Sequence, residues 1–330
     1  MLLVRKWGLY VRMKETTTIL ILTASQNSSN FDQDEQALVS IIMNCYNGEK
    51  YLREAIDSVL TQTHKNWEII FWDNQSSDSS AEIFNSYLDP KLKYYYAPKH
   101  TLLYEARNYA LKNARGEFIA FLDVDDWWFP EKLEQQVRLF DDPEVGVVCS
   151  NYLIENRNKC RRWLAFKNPM PQGRVLDDLL RYYFVGLLTL IVRRKALSPP
   201  ITSFDPRYHI IGDYDLVIRL ASTWRLCVVQ SPLATYRIHE ENESSKHREL
   251  RTIELETWHA EYAKHPVIGL SSNFHFVTYL ILYGKAVENL LSGNRKDAAN
   301  CMSKIPWGIP KLRLIVGLFL PVAIIKHLKN

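Results

Sequence analysis

Between Leu38 and Cys149, short apolar runs of strand length alternate with segments whose apolar residues recur at helical spacing. Leu38 to Met43 closes on Asn44-Cys45-Tyr46-Asn47-Gly48, and Trp67 to Trp72 closes on the polar stretch Asp73 to Asp78. Leu92 to Tyr96 is a third run, Glu117 to Leu122 leads into Asp123-Val124-Asp125-Asp126, and Val145 to Cys149 follows. Between them, Leu52, Ala55, Ile56, Val59 and Leu60 predict a helix with Asn47 as its cap. Further helices are predicted through Ile83 and Leu88, over 103–114, and from Pro130, which suits a first helical turn. This alternation specifies βαβ units, an α/β class and a mostly parallel sheet. Ligands of such sheets lie outside the carboxyl ends of the strands. The clusters 44–48, 73–78 and 123–126 therefore share one edge.

Past Ser150 the alternation weakens: 186–192 and 226–230 read as strands, Asp213 to Ala221 as a helix, and the chain is mainly helical from Glu249. The expected division is a disordered or loosely packed lead over 1–37, an α/β domain over 38–245, and a helical region over 246–330. A chain of 330 residues with 47% apolar content is long enough for such a core and a smaller unit. Its net charge of +4 is too small and too dispersed to argue for a nucleic-acid partner. Five scattered cysteines without a CxxC pair fit free thiols in a reducing compartment better than disulfides or a zinc site. The apolar run Ile19 to Leu22 is short for a secretory segment, and the polar stretch 25–36 reads as disordered.

The stretch Phe121 to Pro130 (FLDVDDWWFP) sets three carboxylates within four residues. Two carboxylates about 4 Å apart repel by roughly 4 kcal/mol at an intermediate dielectric, so a positive partner is expected. In a strand ending, Asp123 and Asp125 project to one side and Asp126 turns away. That pair suits a hard divalent cation with positions left for phosphate oxygens. The alternative is a solvated loop whose aspartates cap the next helix. Trp127 and Trp128 read as loop packing, with sugar stacking as the other option. Asp213 and Asp215 open an apolar helix, where acids favour the dipole and read on their own as capping residues.

Four stretches in series resemble family 2 glycosyltransferases with the GT-A fold. They are VSIIMNCYNGEKYLREAIDSVLTQTHKNWEIIFWDNQSSD, EARNYALKNARGEFIAFLDVDDWWFPEKLEQQV, VRRKAL with FDPRYHIIGDYDLVIRLA, and TYRIHEENES. The resemblance implies a Rossmann-like, mostly parallel central sheet with flanking helices, plus a C-terminal helical region. It implies an inverting enzyme that uses a nucleotide-diphosphate sugar, a UDP-sugar above others, with Mn²⁺ or Mg²⁺. Carried over residue by residue, Tyr46 packs on the donor base, Asn74 bonds the base edge, and Arg107 lies near the donor. Asp125 is the main metal ligand with Asp123 and Asp126 beside it, Asp213 is the general base, and His239 lies near the metal or the diphosphate.

Three positions depart from the pattern: Asn44 replaces Thr or Pro, Asn74 replaces an acid, and Gly212 replaces the Glu expected before the base. The implied acceptor is a saccharide or lipid-linked saccharide, in bacterial surface polysaccharide synthesis (O-antigen, capsule or exopolysaccharide). The alternatives are an inactive sugar-nucleotide-binding or scaffold protein of the same fold, and a sugar-nucleotide nucleotidyltransferase. The last needs a Gly-rich phosphate loop that 44–48 does not offer. The segment Leu312 to Ile325, interrupted by Arg313 and Pro321 and flanked by Lys311, Lys326 and Lys329, is short for a spanning helix. It fits an interfacial tail over about 306–330 that touches the cytoplasmic face of a membrane, or else a buried terminal helix.

Overall fold

The computed structural model describes residues 36–199, 201–239, 242 and 247–329. Apart from its last two residues, the predicted lead over 1–37 lies outside the described residues. The chain divides into two compact units, one over Gln36–Val277 and the other including Thr278–Asn330.

The first unit opens with β1 (Val39–Cys45), α1 (Glu49–Leu60), β2 (Trp67–Asp73), α2 (Ser80–Asn85), β3 (Leu92–Tyr96), α3 (Leu103–Leu111) and β4 (Phe118–Phe121). It continues through β5 (Trp127–Trp128), α4 (Lys132–Val137), β6 (Val145–Asn156), β7 (Arg161–Leu164), α5 (Leu176–Arg181), β8 (Ile191–Arg193), α6 (Gly212–Ala221), β9 (Arg225–Arg237) and α7 (Arg248–Tyr262). Every residue of β1 and β2 is buried. Strands covered on both faces need continuous apolar runs, which is why these two were legible. The sheet order is β3-β2-β1-β4-β8-β6-β9-β5, with β7 beside β6. Pairing is parallel from β3 through β4 and between β6 and β9. The three-residue β8 runs antiparallel between β4 and β6. It is shorter than the run read over 186–192 because Leu187–Thr189 forms a 3₁₀ turn ahead of it.

Parallel register brings the polar clusters to one edge: Cys45 lies beside Asp73, and Ile42 beside Phe121. A buried polar knot fixes the entry to β4. Ser40 donates its hydroxyl to Glu68 Oε1 at 2.7 Å, and the Gly116 amide donates to Ser40 Oγ at 2.7 Å. A Cβ at Gly116 would stand 2.5 Å from the Ser40 nitrogen, so the close backbone approach requires glycine there.

Two local expectations are corrected. Asn47 does not cap α1: its Oδ1 accepts from the Ser77 amide at 2.8 Å, and Asp78 takes the Glu49 amide at 2.9 Å. Strand pairing also stops before the acidic cluster. Residues 123–126 form a turn closed by the Asp126 amide donating to the Asp123 carbonyl at 3.1 Å, so strand alternation does not set their directions.

The described part of the second unit contains the bulk of α8 (His275–Leu291), then α9 (Arg295–Ser303), α10 (Ile309–Phe319) and α11 (Val322–Lys329). Ala286, Leu290, Ala298, Ile305, Leu314 and Ile325 form its core. Pro321 separates α10 from α11, as a residue without an amide hydrogen does. No helix among the described residues is long and apolar enough to cross a membrane.

Lys132, at the start of α4, is fully buried. Its Nζ lies 4.0 Å from the Trp128 ring centroid and has no hydrogen-bond partner among the described residues. Burial holds its pKa well below the usual lysine range. The unfolded chain therefore binds a proton here that the fold does not, and stability rises with pH up to the ordinary lysine pKa of about 10.4. Lys132→Met is expected to raise the urea midpoint, and by more at pH 7 than at pH 10. Equal midpoint gains at the two pH values would show that the amine is charged in the fold.

Candidate active site

The acidic turn meets its protein partners from three directions. Arg107, buried on α3, donates from Nη2 to Asp123 Oδ1 at 2.5 Å. Its guanidinium also lies 5.2 Å from the Tyr104 ring and 5.9 Å from the Phe204 ring. Burial disfavours the Arg107 charge, but Asp123, Tyr104 and Asp213 favour it more, and its pKa ends above the ordinary value. Asp123 keeps 37% of its side chain exposed. Its low-dielectric surroundings raise its pKa, Arg107 opposes them, and the Asp125 charge adds to the rise.

Asp126 points the other way and is buried. Its Oδ1 accepts from the Arg237 amide at 2.9 Å. Burial first, and the Asp125 charge second, push its pKa well above the carboxylate range. The Arg237 guanidinium lies over the Tyr51 and Trp127 rings at 4.0 and 4.7 Å and donates to Glu54 Oε2 at 2.5 Å. Its Nε and Nη1 are buried without a partner among the described residues. Trp127 thus holds an arginine, while Trp128 is core and donates its indole N–H to the Leu188 carbonyl at 2.8 Å.

Asp125 is left with a histidine. Its Oδ2 lies 2.7 Å from His239 Nε2 and 3.4 Å from Asn242 Nδ2. Asn242 Oδ1 in turn accepts from the His239 amide at 2.7 Å, which fixes the segment after β9. Among the described residues, no three His, Cys, Asp or Glu side chains form a metal cage. The residues nevertheless fit the divalent ion that the resemblance implies. Mg²⁺ and Mn²⁺ are commonly held by one or two carboxylates with phosphate oxygens completing the shell. Asp125, whose second oxygen has no partner among the described residues, and the adjacent imidazole would hold it. The Nδ1 of His239 is buried without a hydrogen-bond partner among the described residues.

At the other end of the edge, Tyr46 is 56% exposed, with its ring 4.4 Å from that of His100. Asn74 is buried, and Thr101 takes up its amide. Asn74 Nδ2 donates to the Thr101 carbonyl at 2.8 Å, and Oδ1 accepts from the Thr101 amide at 3.2 Å. The side chain expected at a base edge thus ties β2 to the loop before α3, and Tyr46 is the open group beside it.

Asp213 lies in the first turn of α6. Its Oδ1 accepts from the Tyr214 amide at 2.8 Å and the Tyr104 hydroxyl at 3.2 Å, and its Oδ2 has no partner among the described residues. Glu254 of α7 accepts from the amides of His209, Ile210 and Ile211 at 2.6, 2.9 and 3.0 Å, which anchors the start of α6. Asp215 is structural: Arg219, Trp258 and Tyr262 bond it at 2.6, 3.0 and 3.1 Å. Contacts therefore run from Asp123 through Arg107 and Tyr104 to Asp213. Tyr104, Arg237, Asn242 and Glu254 were absent from the expected set. Arg237 and Asn242 lie within the matched stretch TYRIHEENES, whereas nothing in the local sequence marks Tyr104 or Glu254.

Comparison with known proteins bears on the same region. The profile of Glycosyl transferase family 2 matches residues 40–196. UDP-Glc:alpha-D-GlcNAc-diphosphoundecaprenol beta-1,3-glucosyltransferase WfgD of Escherichia coli is 38% identical over 162 residues, which are 49% of this chain and 62% of WfgD. An uncharacterized glycosyltransferase of Methanocaldococcus jannaschii is 30% identical over 216 residues, 62% of this chain and 72% of the relative. The chain spans between about half and two thirds of the length of the first curated relatives it matches. Among solved structures, the mannosyltransferase PcManGT from Pyrobaculum calidifontis, in complex with GDP-Man and Mn²⁺, has a TM-score of 0.56 at 18% identity. The likeness covers 90% of this chain and 85% of that one. With the βαβ edge, the acidic turn and these alignments in agreement, the chain belongs to glycosyl transferase family 2 and has the GT-A fold.

Proposed function

We propose that this protein transfers a sugar, with inversion, from a nucleoside-diphosphate sugar to an acceptor hydroxyl, and that Asp213 is the general base. The observation that carries this reading is the contact path Asp123–Arg107–Tyr104–Asp213, which ties the acidic turn to a carboxylate with one free oxygen. Tyr46 offers an exposed ring for the base. Arg107 and Arg237 set positive charge beside the diphosphate position, where it opposes the negative charge that develops on the leaving group. A divalent cation at Asp125 and His239 supplies Lewis-acid stabilisation of the departing diphosphate when bound. Asp213 Oδ2 takes the acceptor proton as its oxygen attacks the anomeric carbon from the face opposite the leaving group.

WfgD, by its name, takes UDP-Glc and a diphosphoundecaprenol-linked sugar. A UDP-sugar donor, a saccharide or lipid-linked saccharide acceptor and a role in bacterial surface polysaccharide synthesis extend the reading to this chain. The second unit supports work at the cytoplasmic face of a membrane. Leu312, Val316 and Phe319 line one exposed stripe of α10, with Trp307 just before it, and the chain carries no acid after Asp297. Lys304, Lys311 and Arg313 complement anionic headgroups.

Asp213→Asn is expected to retain donor affinity and lose about 10²- to 10⁴-fold in transfer, the range for removal of a general base. Assays run with a panel of sugar nucleotides and Mn²⁺ or Mg²⁺, and product anomers are read by proton NMR. Transfer by that variant at the parent rate, or retention of configuration, contradicts the assignment. Asp125→Ala should lose turnover together with its dependence on added cation; turnover that still rises with Mn²⁺ locates the ion elsewhere. Replacing Trp307 and Phe319 by serine should weaken sedimentation with anionic vesicles at least about tenfold, given the apolar area withdrawn. Equal sedimentation removes the membrane proposal and leaves the catalytic one standing.

A further inference from the structure

The acid expected before the general base is absent, because position 212 is glycine. The space its side chain would need is filled from α3: a Cβ built at Gly212 would lie 2.5 to 2.7 Å from three carbons of the Tyr104 ring. That ring is buried, and its hydroxyl reaches Asp213 Oδ1 at 3.2 Å. We propose that Tyr104 is a positioning residue for Asp213, replacing from another helix the support that a neighbouring acid at 212 would give.

The inference rests on the reading of Asp213 as the base and adds how that base is held. Tyr104 has one hydroxyl proton and two acceptors in reach, Asp213 Oδ1 at 3.2 Å and the Ile210 carbonyl at 3.3 Å. An ionised carboxylate is the stronger acceptor, so the proton points at Asp213 before transfer. When Asp213 has taken the acceptor proton, its pull weakens and the same hydroxyl can turn to Ile210 without moving the ring. Donation from Tyr104 and from the Tyr214 amide to a single oxygen fixes the carboxylate plane and leaves Oδ2 open toward the acceptor. Tyr104 also lies against the guanidinium that bonds Asp123. One side chain therefore sets the base and the donor-side charge in a common frame.

The groups that face Asp213 are Tyr104 and Arg107 from α3, Asp123 from the acidic turn, Tyr183 ahead of β8, and Tyr214 on α6 itself. Tyr183 donates its hydroxyl to the Asp213 carbonyl at 3.4 Å, so it bears on the backbone. Tyr104 is thus the neutral donor to the carboxylate itself, and its removal leaves the charges of Arg107 and Asp123 in place.

Tyr104→Phe keeps the ring and deletes the hydroxyl. The expected result is a kcat about ten- to a hundredfold lower, the value of one hydrogen bond to a charged group. Donor KM should stay within about twofold. Gly212→Ala, which displaces the ring, should lower kcat in the parent but add little to Tyr104→Phe, because residues acting through one contact are not additive. A Tyr104→Phe protein with parent kcat overturns the proposal, as does one whose loss is entirely in donor KM. Loss of the folded state in Tyr104→Phe, read from its thermal midpoint, assigns the hydroxyl to stability and overturns it too. Asp213→Asn, assayed alongside, separates the two levels: if that variant transfers at the parent rate, the base assignment fails rather than this one.

Discussion

The ion pair between the buried guanidinium of Arg107 and Asp123 ties the acidic turn to α3. It sets the arrangement of much that surrounds it. Three carboxylates crowded into one turn would repel by several kcal/mol if they faced each other. The fold separates them, with Asp123 on Arg107, Asp126 buried beneath the Arg237 amide, and Asp125 facing His239. The positive partner that the sequence demanded is therefore supplied in part by the Arg107 guanidinium. Asp125 is the acid beside the imidazole, and a cation there would depend on phosphate oxygens to complete its shell.

The same pair links structure to reaction. Arg107 lies on the Tyr104 ring, and Tyr104 reaches Asp213, so the proposed donor-side charge and the proposed base share α3 as their reference. Glu254 and Asp215 hold α6 from the far side through α7. If Asp213 is the base, as proposed, support from both helices leaves it little freedom to lose when an acceptor arrives.

Much of this frame could be read from the sequence, for a physical reason. Fully buried parallel strands such as β1 and β2 must be continuously apolar, and their ends must be polar where they meet solvent or ligand, so the clusters at 44–48, 73–78 and 123–126 announced the edge. The acids, Arg107, Asp213 and His239 were found through stretches that resemble a family. The partners were not legible, because each contact joins residues far apart in the chain. Arg237 meets Asp126 across 111 positions and Tyr104 meets Asp213 across 109, and local periodicity carries no such information. Strand-to-turn boundaries failed for a related cause. Whether β4 continues past Phe121 is decided by the neighbouring strand, not by its own residues. Gly212 looked like a missing acid until the Tyr104 ring was found in its place.

On the proposed reading, the acidic turn grips a divalent cation only together with a diphosphate. Electron paramagnetic resonance of Mn²⁺ titrated into the protein, with and without UDP or GDP, tests it directly. A free-ion signal is expected in the absence of nucleotide, and uptake of one ion per chain when the diphosphate is present. Mn²⁺ bound equally well without nucleotide, or left free with either diphosphate, would contradict it.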